Sequence, residues 1–279
     1  MYEALEHIVR TQCVVGECPT WDETTGELYF VDIAGRCYHT MDYTSGTVRT
    51  VDVPEMLGCL ALCEGGDLLL AMESGIYRRA ADGTLALAHQ PIALRGARFN
   101  DGKIGPDGAL YAGTAGGRGE GAFYRLANGE LSMLFDGCTC SNGLDWHGDT
   151  MFYCDSLDHR VERFRFADGG VTNRRTVLEI PKEDGLPDGM TVDQQGHVWL
   201  ALWGGWGVVC IDPRENRIVR KIDLPVKQVT SCAFAGEDLQ DLIITTAAQG
   251  QNTDEQPQAG DIFRVRCDVA GYPTRRYKG

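Results

Sequence analysis

Four oxygen-bearing side chains recur at a similar distance ahead of short apolar segments of the sequence. They are Glu17, Asn100, Asn142 and Asp188, each seven to nine residues before such a segment. Two carboxylates and two amides form an all-oxygen set, which suits Ca²⁺, Mg²⁺ or Mn²⁺ better than zinc. Such a set leaves coordination positions for water and substrate, so it predicts a catalytic cation site. We expect one divalent cation, with Ca²⁺ favoured and Mn²⁺, Mg²⁺ or Zn²⁺ as alternatives.

The apolar segments themselves form a repeat. They begin at Gly26, Gly66, Gly108, Asp149, Gly196 and Gln240. A period of about 40–47 residues built from short strands and turns is typical of a β-propeller, with one blade per repeat. The sequence therefore predicts an all-β fold, a six-bladed β-propeller with a metal site in its central channel. Equivalent positions of the blades surround the axis, so the four side chains are expected to converge.

A hairpin interpretation of the same residues stays open. Asn100-Asp101-Gly102, Asn142-Gly143 and Asp188-Gly189 contain the Asn-Gly, Asp-Gly signal of tight β-turns. Any one of them alone is better explained as a turn. Because ordinary turns need not fall four times at one blade offset, the shared register favours a site. The second and sixth repeats carry Leu57-Gly58 and Ser231-Cys232 there, which makes the ring one-sided.

The two ends of the chain are expected to close the ring. Tyr2–Val15 predicts a strand that pairs with Asp261–Cys267 of the last blade, which would remove an exposed sheet edge. An irregular polar tail follows. The sequence has no linker or shift in composition, so residues 1–279 are expected to form a single domain.

Composition limits the partners and the compartment. The net charge is −14, from 26 basic and 40 acidic residues, without a basic run. This argues against nucleic acid and against an anionic membrane surface. No signal-peptide core or membrane-spanning stretch is present. The eleven cysteines are scattered and include no CxxC pair, so we interpret them as buried, reduced thiols of a cytoplasmic protein. The oligomeric state is not predicted.

Other catalytic motifs are lacking. The sequence has no GxSxG elbow, no HExxH and no P-loop, and its six histidines show no paired spacing. Trp203 and Trp206 follow the apolar run of the fifth repeat, where they would line a sugar-sized pocket or pack the blade. Packing is the favoured interpretation.

Five stretches carry a family resemblance: GECPTWD, RFNDGK, SNGLDW, LPDGM and LPVKQVTSCAFAG. In this order and spacing they resemble the SMP-30/gluconolactonase family, which includes regucalcin and bacterial sugar lactonases. The resemblance covers essentially the whole chain. It implies a six-bladed propeller, one divalent cation in the central channel and hydrolysis of aldonolactones, with a small sugar lactone as the partner.

The resemblance also assigns roles to individual residues. Glu17, Asn142 and Asp188 match the family's metal ligands, and Asp188 matches its candidate general base. Asn100 and Arg98 match residues that contact the substrate. An arginine in an internal ion pair is the alternative for Arg98.

One segment departs from the family pattern. Where regucalcin has a long acidic lid, this chain has only the glycine loop Ala115–Gly121, in which Glu120 stands in for a substrate-contacting glutamate. The stretch ALWGGWG looks more like the bacterial lactonases than like regucalcin. The substrate among the aldonolactones is therefore left open.

The expected mechanism is hydrolysis assisted by the cation. The cation would polarise the lactone carbonyl while Asp188 accepts a proton from the attacking water; hydroxide on the cation is the alternative nucleophile. Arg98 and Asn100 would hold the sugar hydroxyls. The alternative functions are a phosphotriesterase on the same scaffold, a non-catalytic calcium-binding protein and an interaction platform.

Overall fold

The computed structural model describes residues 4–91 and 96–279, and it confirms the six-bladed propeller. Within these ranges 24 strands form six antiparallel four-stranded sheets. The innermost strands of the six sheets contact one another in a closed cycle, each between those of the preceding and following blades. This cyclic contact defines a central channel.

Blades one to five each use four consecutive strands, written from the axis outward. Blade one contains β2 (Gly16–Asp22), β3 (Glu27–Asp32), β4 (Cys37–Asp42) and β5 (Val48–Asp52). Blade two contains β6 (Leu57–Leu62), β7 (Leu68–Met72), β8 (Ile76–Arg79) and β9 (Leu85–His89). Blade three contains β10 (Arg98–Ile104), β11 (Leu110–Ala115), β12 (Gly121–Ala127) and β13 (Glu130–Cys138). Blade four contains β14 (Ser141–His147), β15 (Thr150–Asp155), β16 (Arg160–Ala167) and β17 (Gly170–Glu179). Blade five contains β18 (Leu186–Val192), β19 (Val198–Trp203), β20 (Gly207–Asp212) and β21 (Arg217–Asp223).

Blade six joins the two ends of the chain, as predicted. It contains β22 (Val229–Ala235), β23 (Asp241–Thr246), β24 (Ile262–Arg266) and, outermost, β1 (Glu6–Val9). His7 is opposite Phe263, and its Nε2 lies 2.9 Å from Oδ2 of the fully buried Asp261. The first two residues of the predicted strand, Tyr2 and Glu3, lie outside the described residues.

The sequence repeat reflects the first hairpin of each blade. Glycines near the repeat starts have positive φ, for example Gly26 at 71° and Gly196 at 85°. Glycine adopts this left-handed conformation at little cost, so it suits the turn between the first and second strands. The second strands begin within two residues of the predicted starts.

The predicted hairpin alternative for the site residues is wrong. Glu17, Asn100, Asn142 and Asp188 all lie inside innermost strands, each next to a β-bulge. A bulge bends a strand and redirects a side chain, which here turns polar groups toward the channel.

The glycines that follow two of these residues are needed for blade packing. A Cβ at Gly143 would lie 2.3 Å from the Asp188 carbonyl oxygen, and one at Gly189 would lie 2.1 Å from Ser231 Oγ. The Asn-Gly and Asp-Gly pairs therefore mark close contact between neighbouring blades.

The C-terminal tail is irregular, as predicted, but it is tied to every blade. We call residues 268–279 the C-terminal strap; it lies where the innermost strands end. In the strap, Tyr277 N donates a hydrogen bond to the Leu62 carbonyl at 2.8 Å, and Tyr272 Oη forms a hydrogen bond with His147 Nδ1 at 2.9 Å. Further contacts of the strap reach Asp22, Gly108, Gln194 and Leu239.

The thiols are part of the hydrophobic core between the blades. All eleven cysteines are free, and ten of them are buried, which confirms their predicted packing role. Among the described residues, no helix has the length and apolar character needed to cross a bilayer.

Candidate metal and substrate site

The predicted site residues meet in one cavity at the end of the channel where the innermost strands begin. This cavity has a volume of about 320 Å³. Its lining includes Glu17, Arg98, Asn100, Asn142 and Asp188. Five predicted residues from blades one, three, four and five are therefore brought together, although nothing in their local sequence fixes this contact.

Glu120 is the exception. It is exposed on the glycine loop and does not belong to the lining of this cavity. Its backbone N–H donates to the Gly117 carbonyl, and its carboxylate packs where a Cβ at Gly117 would lie. The predicted contact between Glu120 and substrate stays a prediction.

The three predicted metal ligands are buried, and two of them present free oxygens. Glu17, Asn142 and Asp188 are each 5% exposed. Asn142 Nδ2 donates to Ser156 Oγ at 3.0 Å, which fixes the orientation of the amide. Within the described residues, Asn142 Oδ1 and Asp188 Oδ1 have no hydrogen-bond partner. Orphaned acceptors are costly to bury, so a group that binds oxygen is the expected occupant.

The buried carboxyl groups of the cavity would also be stabilised by a positive charge. Burial raises the pKa of the Glu17 carboxyl well above its usual range, and the charges of Asp188 and Asp101 raise it further. Burial likewise raises the pKa of Asp188, with Asp101 adding to the effect. A divalent cation would offset these buried charges, and the donor set fits a hard cation.

Arg98 and Asn100 are linked to each other beside these ligands. Arg98 Nη1 donates to Asn100 Oδ1 and to the Phe99 carbonyl, both at 2.9 Å, while Asn100 Nδ2 donates to the Ser141 carbonyl at 2.9 Å. In the described part of the chain no carboxylate pairs with the Arg98 guanidinium, so the internal ion pair is not found. The Nε and Nη2 groups of Arg98 make no hydrogen bond there either, and they are available to a ligand.

Sequence reasoning missed Asp101 and Ser156. Asp101 lies deeper in the channel, where burial raises its pKa to about 6 despite the opposing charge of Lys103. The sequence signal that could have identified Asp101 is its place directly after Asn100, in the same Asn-Asp-Gly stretch. Ser156 had no sequence signal, because its role depends on a contact with Asn142 from another strand.

The two tryptophans of blade five differ. Trp203 is partly buried and lines the cavity, whereas Trp206 is 42% exposed with a φ of 59°. The favoured prediction, that both tryptophans pack within the blade, therefore does not hold for Trp203, because this residue lines the cavity.

A second group of potential ligands lies in blade five but is already satisfied. Asp193, His197 and Cys210 bring their ligand atoms within 4.8 Å of one another. Asp193 accepts hydrogen bonds from the backbone of Gln195 and His197 and from Trp199 Nε1. Burial raises the pKa of Cys210 to about 12, so its thiol stays protonated. We interpret this group as part of the blade's hydrogen bonding.

The family follows from a comparison with known proteins. The SMP-30/Gluconolactonase/LRE-like region matches residues 15–248. The chain belongs to this family.

Relatives within the family align over nearly the full chain. A Bacillus subtilis protein provisionally named sugar lactone lactonase YvrE is 38% identical, over 96% of this chain and 97% of its own. Regucalcin of Gallus gallus is 34% identical, over 97% and 99%. A solved structure of a calcium-binding protein, regucalcin, from Agrobacterium tumefaciens is 29% identical with a TM-score of 0.94, covering 99% of this chain and 98% of that one.

Proposed function

We propose that this family member is a metal-dependent lactonase that opens sugar lactones to aldonic acids. The observation that carries the proposal is that one open cavity holds the unsatisfied oxygens of Asn142 and Asp188 beside the buried carboxyl groups of Glu17 and Asp188. The volume is in the range of small-molecule sites. The names of the relatives, a sugar lactone lactonase and a calcium-binding regucalcin, agree with this reaction and cofactor class.

Glu17, Asn142 and Asp188 would hold the cation, and Ca²⁺ is the favoured ion. When bound, a divalent cation supplies Lewis-acid polarisation of the lactone carbonyl and positive charge for the oxyanion that develops there. Glu17 and Asp188 contribute the two negative charges. Ser156 keeps the Asn142 oxygen directed into the cavity.

Asp188 is proposed as the general base. Once its charge is compensated it is ionised, and it can take a proton from the attacking water. The water oxygen bonds to the carbonyl carbon, the ring C–O bond breaks, and the ring oxygen leaves as a hydroxyl with the proton that Asp188 held. Arg98 donates to substrate oxygens through its unused N–H groups, with Asn100 beside it, and Glu120 is a further proposed contact from the loop.

Two of the alternative functions would place different requirements on this cavity. A phosphotriesterase would use the same charge stabilisation but would hydrolyse a phosphorus ester. A calcium-binding protein without activity would need the ligands but neither Arg98 nor an open cavity beside them. The free guanidinium of Arg98 at the cavity favours an enzyme with an oxygen-rich substrate.

The test is proton release from a panel of pentono- and hexonolactones and one phosphotriester. The protein is stripped with EDTA and then supplied with Ca²⁺, Mn²⁺, Mg²⁺ or Zn²⁺. We expect metal-restored lactone hydrolysis that Asp188→Asn lacks. Hydrolysis of the phosphotriester alone, or cation binding without any turnover, would overturn the lactonase proposal.

A further inference from the structure

Three apolar side chains form one side of the same cavity. Leu157 follows β15, the second strand of blade four, and Leu186 and Trp203 belong to blade five. We call these three residues the apolar wall. Of the other lining residues, the cation ligands and Arg98 are polar, whereas Val15 and Ile33 at blade one and Ala115 of blade three are apolar.

Two members of the apolar wall are fixed by strand pairing. Leu186 and Trp203 are direct partners across β18 and β19, at the end of this strand pair next to the cavity. Trp203 also bridges to Gln228 of the neighbouring segment. Side chains on paired strands lose little freedom when a ligand binds, which makes them a preorganised surface.

Leu157 is exposed but held in place. It is 54% exposed, and it lies in a 3₁₀ turn, Ser156–Asp158. The buried Asp155 carboxylate accepts hydrogen bonds from the backbone N–H groups of Thr139 at 2.7 Å, Cys140 at 3.1 Å and Leu157 at 3.2 Å. The carboxylate therefore fixes two stretches of the cavity rim at once, and it presents a leucine to solvent at a defined position.

The hydroxyl groups of a sugar would make no use of the two leucines in this wall. Hydroxyl groups need hydrogen-bond partners, which Arg98 and Asn100 can supply, but Leu157 and Leu186 can supply none. A hydrocarbon group placed against these side chains would remove apolar surface from water on both sides of the contact.

We propose that the cavity accepts, besides aldonolactones, lactones whose ring carries a hydrocarbon substituent, with the substituent packed against Leu157, Leu186 and Trp203. This inference rests on the lactonase function proposed above. The carbonyl end of the ring lies toward Glu17, Asn142 and Asp188, and the alkyl group lies along the apolar wall. The reaction is the same ring opening by water, and its product is a hydroxy acid with an alkyl chain.

The experiment has a turnover arm and a binding arm. In the first, kcat/KM is measured with Ca²⁺-loaded protein for δ-valerolactone and its derivatives with propyl, pentyl and heptyl chains at C5. In the second, calorimetry measures the binding of the matching δ-lactams, which resist hydrolysis. We expect both kcat/KM and lactam affinity to rise by about twofold per methylene until the wall is covered, less than for full burial.

Leu157→Ser and Trp203→Ala should flatten this dependence on chain length. Leu87→Ser is the matched control, because Leu87 is 50% exposed on the outer strand of blade two, and it should leave the dependence unchanged. The inference would be overturned if lactam affinity in the wild type did not depend on chain length. It would also be overturned if Leu157→Ser and Trp203→Ala kept the same dependence of lactam affinity on chain length as the wild type. Loss of turnover on every lactone with a retained chain-length slope in lactam binding would overturn the lactonase proposal alone.

Discussion

Glu17 and Asp188 are 171 residues apart in the chain, yet both side chains line the same cavity of the propeller. Both are buried, and the charge of Asp188 raises the pKa of Glu17. Two carboxyl groups in such a position either share a proton or share a cation. The protonation and the stability of the protein should therefore depend on the cation.

Asp188→Asn should separate cation binding from folding. The substitution keeps the shape of the side chain and removes one uncompensated buried charge, so the EDTA-treated variant should melt at a higher temperature than the wild type at pH 8. Ca²⁺ should raise the Tm of the wild type and leave that of the variant nearly unchanged, while kcat/KM for a sugar lactone falls at least about 100-fold. Asp254→Asn, in an exposed loop, is the control. An equal Ca²⁺-induced Tm shift in Asp188→Asn would contradict this assignment.

Ser156→Ala should weaken cation binding although Ser156 itself is not a proposed ligand. The change removes the acceptor that holds Asn142 Nδ2, so Asn142 Oδ1 is no longer fixed toward the cavity. Partners of this kind typically contribute about 10–100-fold in metal affinity. Calorimetric titration with Ca²⁺ measures the effect. Ser156→Thr retains the hydroxyl and should recover most of the affinity; a loss of equal size in both variants would indicate disrupted packing instead.

Asp101→Asn should change the pH dependence of stability in the metal-free protein. The folded-state pKa of Asp101 is raised to about 6 from the ordinary 3.8, so between these values the folded state binds more protons than the unfolded state. The free energy of unfolding therefore falls as the pH rises through this window. Asparagine does not ionise, so the free energy of unfolding of the variant does not fall for this reason. Its Tm should match that of the wild type near pH 4 and exceed it above pH 7.

Thermal melts of the EDTA-treated wild type and Asp101→Asn from pH 4 to pH 8 test this prediction. The same substitution should lower the pKa values of Glu17 and Asp188, because the Asp101 charge contributes to raising both. A Tm difference that does not vary with pH would show that Asp101 acts through packing.

Arg98→Lys should impair substrate binding more than the chemical step. Lysine keeps the charge but cannot donate in the planar geometry that links Arg98 to Asn100 and leaves Nε and Nη2 free. We expect KM for the best sugar lactone to rise about tenfold, with kcat reduced by less. Steady-state kinetics with saturating Ca²⁺ measure both constants. Arg217→Lys, at an exposed surface ion pair, is the control.

Tyr277→Ala should destabilise the propeller without removing activity at 25 °C. Tyr277 is 6% exposed, belongs to the hydrophobic core of blades one to three, and forms a β-bridge with Cys63. Loss of a buried ring of this size costs about 3 kcal/mol, which lowers the Tm by roughly 6–12 °C in a chain of this length. Tyr277→Phe keeps the ring and should remain close to the wild type. An unchanged Tm in Tyr277→Ala would mean that the strap does not stabilise the fold.

Much of the fold was predictable from local pattern. The spacing of the six strand starts identified six blades, and four of these starts are glycines whose positive φ suits a left-handed hairpin turn: Gly26, Gly66, Gly108 and Gly196. The pairing of β1 with β24 followed from the need to cover an exposed strand edge. The Asn-Gly and Asp-Gly pairs were ambiguous, because glycine serves both a turn and a close approach between blades, and sequence shows only that glycine is required.

What the sequence by itself determined is the list of groups that could bind a cation, since equal offsets in a repeat place Glu17, Asn100, Asn142 and Asp188 at equivalent positions around an axis. Tertiary structure decided which oxygens remain free. Asn100 Oδ1 is taken by Arg98, whereas Asn142 Oδ1 and Asp188 Oδ1 have no partner among the described residues. It also decided the role of Asp101, the place of Glu120 and the course of the C-terminal strap. These depend on contacts between blades, and hydrogen bonds and charge interactions across a channel leave no periodic trace in the chain.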